Sequence, residues 1–169
     1  KLTTASSSNS SPGHVGGELF KFMTGTQIQH VPYRGGAPAI NDLVAGHVDL
    51  MFESLNGISS AAKSGQVRPL AVSGDKRSLA FPDLPTVAEA GVPGYAYESW
   101  FGMIVPAKTP PEIIARLNQE TVATLAEPEI RARLIEQGGV EPVGSTPEAF
   151  AETIKADLAR YADLVKRTG

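Results

Sequence analysis

His30-Val31-Pro32-Tyr33-Arg34-Gly35-Gly36-Ala37-Pro38-Ala39 is the stretch from which the fold can be read. On its N-terminal side Ile28, Val31 and Tyr33 read as a short strand. On its C-terminal side Ile40, Leu43 and Val44 recur at helical spacing. Gly35-Gly36 lies between them, and Pro38 suits the first turn of a helix, where its missing N–H is no loss. The segment therefore predicts strand, glycine turn, helix. Such a turn presents backbone N–H groups at the positive end of a helix dipole, a cradle for an anion. Glycine lets a ligand approach that backbone closely. The cradle points to a small carboxylate as ligand.

Working outward, the preceding segment repeats the logic. Leu2-Thr3-Thr4 reads as a strand, Ala5 to Ser11 as a polar loop, and Ser11 as the N-cap of a helix with Pro12 at its first position. Val15, Leu19 and Phe20 with Phe22 or Met23 form its predicted apolar face, and Gly25 its end. Past the opening stretch, which ends near Gly46, Val48 to Phe52 is a buried-strand candidate. A helix through Ile58, Ala61 and Ala62 ends at Gly65, and Val67 to Val72 is a further strand. Strand and helix in alternation predict a parallel α/β sheet.

The second half reads differently. Gly74 to Gly94 is punctuated by Pro82, Pro85 and Pro93 and predicts an irregular surface excursion, with one short helix at Val87 to Ala90. Ser99 to Val105 is an apolar strand candidate with Trp100 and Phe101 expected in the core. Thr109-Pro110-Pro111-Glu112 has the spacing of a capping box. Helices follow through Ile113, Leu117 and Leu125, then from Pro128 to Gln137, with a possible strand at Val140 to Val143. Thr146-Pro147 opens a long helix carrying Phe150, Ile154, Leu158, Tyr161 and Val165 on one face.

Composition bounds the function. The chain has 169 residues, 41% of them hydrophobic and 20% charged, with a formal net charge of −3. That is enough to bury a core, and without a basic stripe nucleic acid is not the expected partner. No apolar run reaches the length of a membrane span, so no direct membrane insertion is expected. The absence of cysteine removes disulfides, thiolate metal sites and cysteine nucleophiles. The chain begins at Lys1 and reads as a processed chain or an excised fragment.

Few residues suggest catalysis. His14, His30 and His47 share no metal-ligand spacing and read as satisfied or solvated. No G-x-S-x-G elbow, Walker A lysine or G-x-G-x-x-G run is present, so neither a hydrolase nor a nucleotide-binding protein is indicated. Asp49 and Glu53 lie near one predicted strand end and are too isolated to form an acid–base pair. The serine loop and the glycine turn, by contrast, both fall where strands end in an open parallel sheet, the edge at which such sheets bind ligands. Each is also what an ordinary solvated loop or a simple turn looks like. Arg34 either adds a charge-assisted pair to a carboxylate or is solvated.

The runs NSSPGHVGGELF, HVPYRGGAPAINDLVAGHVDLMF, VRPLAVSGDKRSLAFPDLPTVAEAGVPGY and SWFGMIVPAKTPPEIIARLN resemble the Bug, or TctC-like, family almost from end to end. These are periplasmic solute-binding proteins of tripartite tricarboxylate transporters. The resemblance implies a type II periplasmic-binding-protein-like α/β fold with a mostly parallel sheet and two lobes closing as a Venus flytrap. It implies a periplasmic location, a small organic acid as ligand, membrane transporter subunits as partners, no cofactor and no enzymatic role. Carried over by motif, it puts Ser7, Ser8, Asn9 and Ser11, with Tyr33, Gly35, Gly36 and Ala37, at the ligand. Relatives usually carry glycine where this chain has Ala5, Ser8 and Ser10. The resemblance covers only the C-terminal part of such a protein. Residues 1–98 are then the second lobe, and 99–169 a return segment whose first lobe is missing, which packs elsewhere or on another copy by domain swapping. The competing readings are the effector-sensing domain of a transcription regulator with the same two-lobed fold, and a hydrolase using a serine of the 6–11 loop.

Overall fold

A computed structural model describes residues 1–168; Gly169, the last residue of the predicted return segment, lies outside the described residues. The chain divides into two compact units, Lys1–Ser99 with Gln137–Val140, and Trp100–Glu136 with Glu141–Gly169.

In the first unit the alternation of the sequence becomes β1 (Thr3–Ser6), α1 (Pro12–Thr24), β2 (Gln29–Pro32), α2 (Gly36–Val44), β3 (Leu50–Met51) and α3 (Leu55–Lys63). The three strands form one parallel sheet in the order β2-β1-β3. The chain thus steps from β1 to one neighbour and then returns across β1 to the other. Because both crossovers turn right-handed, that reversal sends α1 and α2 to opposite faces. Side-chain alternation along β2 agrees. His30 stacks on His14 of α1, whereas the next residue, Val31, packs with Ala5, Ala39 and Leu43 on the α2 side.

The face under α1 is built on glycine. Gly16 and Gly17 are buried, whereas Phe22 and Met23, expected on the apolar face, are exposed. Gly13 and Gly17 lie against Phe52, and Gly16 against Tyr95 and Tyr97, so the helix backbone itself meets three aromatic rings. Phe20 adds a tilted contact to Phe52 and an edge-on contact to Tyr95. Tyr95 is almost wholly buried, and its hydroxyl donates to the Gly16 carbonyl at 3.0 Å. Tyr95→Phe should therefore cost about 1 kcal/mol, the net worth of one hydrogen bond, measurable by urea denaturation.

Caps set the helix ends. Ser11 caps α1, accepting from His14 N–H, and Gly25 closes it in the left-handed region at φ 66°. Gly46 and Gly65 take positive φ just after α2 and α3. Asp49 caps the start of the sheet instead: its Oδ2 accepts from the Thr3 N–H at 2.7 Å and the Thr3 hydroxyl at 2.8 Å. Those bonds hold the Asp49 carboxyl below its ordinary range. Asp49 and Glu53 consequently mark opposite ends of β3 rather than one.

Several predicted elements are not formed. Val67 to Val72 is no strand, because only Val72 finds a partner, a single parallel bridge to Thr86. That bridge anchors the irregular segment, with Val72 and Val87 buried beside Tyr95 and Tyr97. Val87 to Ala90 forms a hydrogen-bonded turn and not a helix. A reciprocal capping box does occur there: Thr86 N–H donates to Glu89 Oε2 at 2.9 Å, and Glu89 N–H to Thr86 Oγ1 at 3.1 Å. The box expected at Thr109–Glu112 is absent, since Pro110 occupies the cap position and bonds through no side chain.

The second unit holds α4 (Pro111–Ala126), most of α5 (Pro128–Gly138) and α6 (Pro147–Thr168). Thr146 caps α6, its hydroxyl accepting from Ala149 N–H. Ser99 to Val105 and Val140 to Val143 form no strand. Trp100 is 42% and Phe101 75% exposed, so neither is a core residue. Trp100 stands edge-on to Phe150 at 4.9 Å and donates its indole N–H to Asp157. On α6 Phe150 and Ile154 are half-buried, but Leu158 and Val165 face solvent. No described residue of this unit is buried.

Candidate functional site at the carboxyl edge of the sheet

Three loops leave the carboxyl ends of the three strands: Ser7–Ser11 after β1, Tyr33–Gly35 after β2, and Phe52–Ser54 after β3. Since α1 and α2 lie on opposite faces, their starts approach this edge from opposite sides. That is the topological switch point of a doubly wound sheet, where the diverging loops leave a crevice.

The loops are tied together through the backbone. Tyr33 N–H donates to the Ser6 carbonyl at 2.9 Å, and Gly35 N–H to the Ser7 carbonyl at 2.8 Å. Two of the donors that the glycine turn seemed to offer a ligand are thus already engaged. Gly36 and Ala37, in the first turn of α2, have no intrahelical acceptor, and no side chain caps that helix. Gly35 reaches this geometry at φ 120°, ψ 165°, a region essentially reserved for glycine.

The serine loop divides between structural and available groups. Ser11 is buried; its hydroxyl donates to the Ser8 carbonyl at 2.8 Å and caps α1, so its side chain serves the loop. Ser10 takes φ 61°, unusual for a residue with a Cβ, and its N–H donates to His14 Nδ1 at 3.0 Å. The side chains of Ser7, Ser8 and Asn9 make no hydrogen bond to the described residues, and Ser8 and Asn9 are exposed. These three are neutral donors within reach of solvent.

Tyr33 points its hydroxyl away from this task. It donates to Asp42 Oδ2 at 2.7 Å, which raises the phenol above its ordinary pKa, and the same bond, with one from His47, lowers that of Asp42. Arg34 is exposed.

One residue passed over in the sequence stands at the crevice. Glu53 follows β3; its Oε1 accepts from Ser54 N–H and Oγ–H, both at 2.8 Å. Its Oε2 lies 3.5 Å from where a Cβ on Gly36 would be, beside the start of α2. A half-buried carboxylate thus borders the uncapped helix start. The signal in the sequence was its position one residue past an apolar strand.

Ser6 Oγ and His30 Nε2 are 2.6 Å apart, a pairing that invites comparison with a hydrolase dyad. The geometry opposes it. Ser6 is 0% exposed, and its single hydroxyl hydrogen goes to the Ser8 carbonyl at 2.8 Å, so it accepts from His30 rather than being deprotonated by it.

Fold and edge together define an open, doubly wound α/β unit, a class of fold that takes ligands at the carboxyl edge of its sheet. The chain belongs to the TctC family, the tripartite tricarboxylate transporter family receptors, whose sequence model matches residues 1–169. BugT of Bordetella pertussis is 35% identical over 159 residues, covering 94% of this chain and 48% of that protein. A solved R. palustris protein with adipate is 40% identical, with a TM-score of 0.93 over 100% of this chain and 56% of its own. MatC from Rhodopseudomonas palustris, with bound malate, is 29% identical, with a TM-score of 0.84 over 97% of this chain and 56% of its own. The chain therefore spans about half the length of these relatives.

Proposed function

We propose that this chain is a ligand-binding part of a periplasmic receptor that captures a small organic carboxylate and presents it to the membrane subunits of a tripartite tricarboxylate-type transporter. The observation that carries the reading is the uncapped start of α2 at the switch point, tied to the serine loop by the bond from Gly35 N–H to the Ser7 carbonyl. In that role the ligand carboxylate accepts from the N–H groups of Gly36 and Ala37 and from the serine loop, with Gly35 and the Tyr33 backbone holding the turn and Ser11 holding the loop. Residues 1–98 act as the second lobe and 99–169 as the return segment, with a domain-swapped oligomer as one way to cover the latter. Two relatives solved with dicarboxylates support an organic acid as ligand. No feature of the fold or of the relatives favours the regulator reading, and the role requires no catalytic residue. No described helix is long and apolar enough to cross a membrane.

Thermal-shift titration with acetate, succinate, adipate, malate and citrate tests this, because a ligand of the folded state raises the melting temperature by mass action. A response to sugars or nucleotides alone would remove the carboxylate assignment. Glu53 refines the test. Its carboxylate repels an anion seated at α2, so Glu53→Gln should tighten binding of a dicarboxylate by about tenfold at low salt, and by less as salt screens the pair. Unchanged affinity would place the anion away from the α2 start.

A further inference from the structure

The serine loop is held at both ends by histidine. His14 and His30 stack with ring centroids 3.9 Å apart and planes 14° from parallel. His14 Nδ1 accepts the N–H of Ser10, the one non-glycine residue with positive φ among the described residues. His30 Nε2–H donates to Ser6 Oγ, which in turn binds the Ser8 carbonyl. The two rings thus brace Ser6 and Ser10, the first and fifth residues of the stretch that carries Ser7, Ser8 and Asn9, the donors assigned to the ligand.

We propose that His14 and His30 are positioning residues for the carboxylate loop: as a neutral stacked pair they hold Ser6 to Ser10 in the binding shape, and protonation releases it. This rests on the carboxylate-binding reading above. The chemistry of the two nitrogens sets the direction. A proton on His14 Nδ1 abolishes the acceptor that Ser10 N–H has among the described residues and leaves that residue in the left-handed region without this support. A proton on His30 leaves its Nε2–H bond intact but adds a positive charge against a ring 3.9 Å away.

The charged groups around the pair are few. From α1 they are Glu18, whose Oε1 is 3.5 Å from His14 Nε2, and Lys21, which binds Glu18 at 2.7 Å; from β1 the neighbours Thr4 and Ser6 are neutral. Burial, then the His14 charge, lowers His30 below its ordinary pKa, with Glu18 partly opposing. A lowered histidine contributes stability that is present above the unfolded-chain value, about 6.5, and lost as pH falls from there toward the folded value. Affinity should follow the same direction, full near neutrality and falling on acidification.

The experiment is a calorimetric titration of adipate between about pH 7.5 and about pH 5.5, for the wild type and for His14→Asn/His30→Gln. Asn offers an oxygen near the place of Nδ1, and Gln an N–H near the place of Nε2–H, but neither titrates. The wild type is expected to lose about tenfold in affinity across that range, and the double variant to show a flat profile. A flat wild-type profile, or a variant as steep as the wild type, overturns the proposal. A proton NMR titration reads the clamp without ligand. The Ser10 amide should shift with the same midpoint as the His14 ring protons, and an amide indifferent to that titration overturns the clamp. If no acid of the thermal-shift series binds at any pH, the carboxylate reading fails while the NMR arm still decides the role of the histidines.

Discussion

Gly13→Ala is expected to lower folding stability by about 1–2 kcal/mol net, seen as a drop in the urea midpoint at unchanged slope. A Cβ at that position would collide with the backbone carbonyl of Phe52, where α1 passes directly over the end of β3. Backbone cannot rotate aside as a side chain can, so α1 or the β3 end must move. Alanine gains up to about 1 kcal/mol in helix propensity over glycine, which the collision has to exceed. Gly17→Ala supplies the internal comparison, one turn further along the same face. Its Cβ would meet only the Phe52 ring, at an ordinary 3.4 Å, so propensity should prevail and the change be neutral or stabilising. Equal effects at both positions would mean that the close approach of α1 and β3 does not limit stability. Because α1 starts at the carboxyl edge, displacing it should also disturb the serine loop.

Gly35→Ala should be the most damaging single change at the proposed site. The backbone there sits at φ 120°, ψ 165°, where a residue with a Cβ is strained by about 1–3 kcal/mol. The strain falls on the hydrogen bond from Gly35 N–H to the Ser7 carbonyl, the link between the two proposed ligand loops. A residue that relaxes to negative φ re-aims both that N–H and the first N–H groups of α2. Dicarboxylate affinity should then fall more than tenfold, the equivalent of about 1.4 kcal/mol, beyond the loss of stability. Gly25→Ala separates the two effects. It is also left-handed, at φ 66°, but has nothing within 4 Å of its Cβ and lies at the far end of α1. It should cost about 1 kcal/mol in stability and leave affinity unchanged. Parallel losses of affinity in both variants would show that Gly35 acts through global stability alone.

What could be read in the sequence tracks how local the determinant is. Ser11-Pro12 and Gly25 bracket α1 because capping depends on a few adjacent residues, and the βα alternation through Lys63 came with them. Strand formation is different, since it needs a partner. The apolar runs at 67–72, 99–105 and 140–143 have strand composition, yet only Val72 makes a bridge. The T-x-x-E spacing occurs at both Thr86 and Thr109. Pro110-Pro111 moves the helix start past the second, so only the first becomes a capping box. At the proposed site the turn was legible and the allocation of its donors was not. Tyr33 and Gly35 spend their N–H groups on the carbonyls of Ser6 and Ser7, and Ser11 and the Tyr33 hydroxyl serve the loop and Asp42. Such pairings depend on the order of the strands, which puts β1 between β2 and β3. The role of Glu53 was hidden for the same reason.

The second unit has three helices and no buried side chain among its described residues, while Ile104 is 77% and Val143 84% exposed. Sealed interiors are what couple the parts of a protein into one all-or-none transition. Helices held chiefly by half-covered contacts should open and close many times before the parallel sheet melts once. Deuterium uptake along the backbone would then resolve into fast α4 and α6 amides and slow ones on β1, so that one melting temperature describes only the sheet-bearing half of this chain.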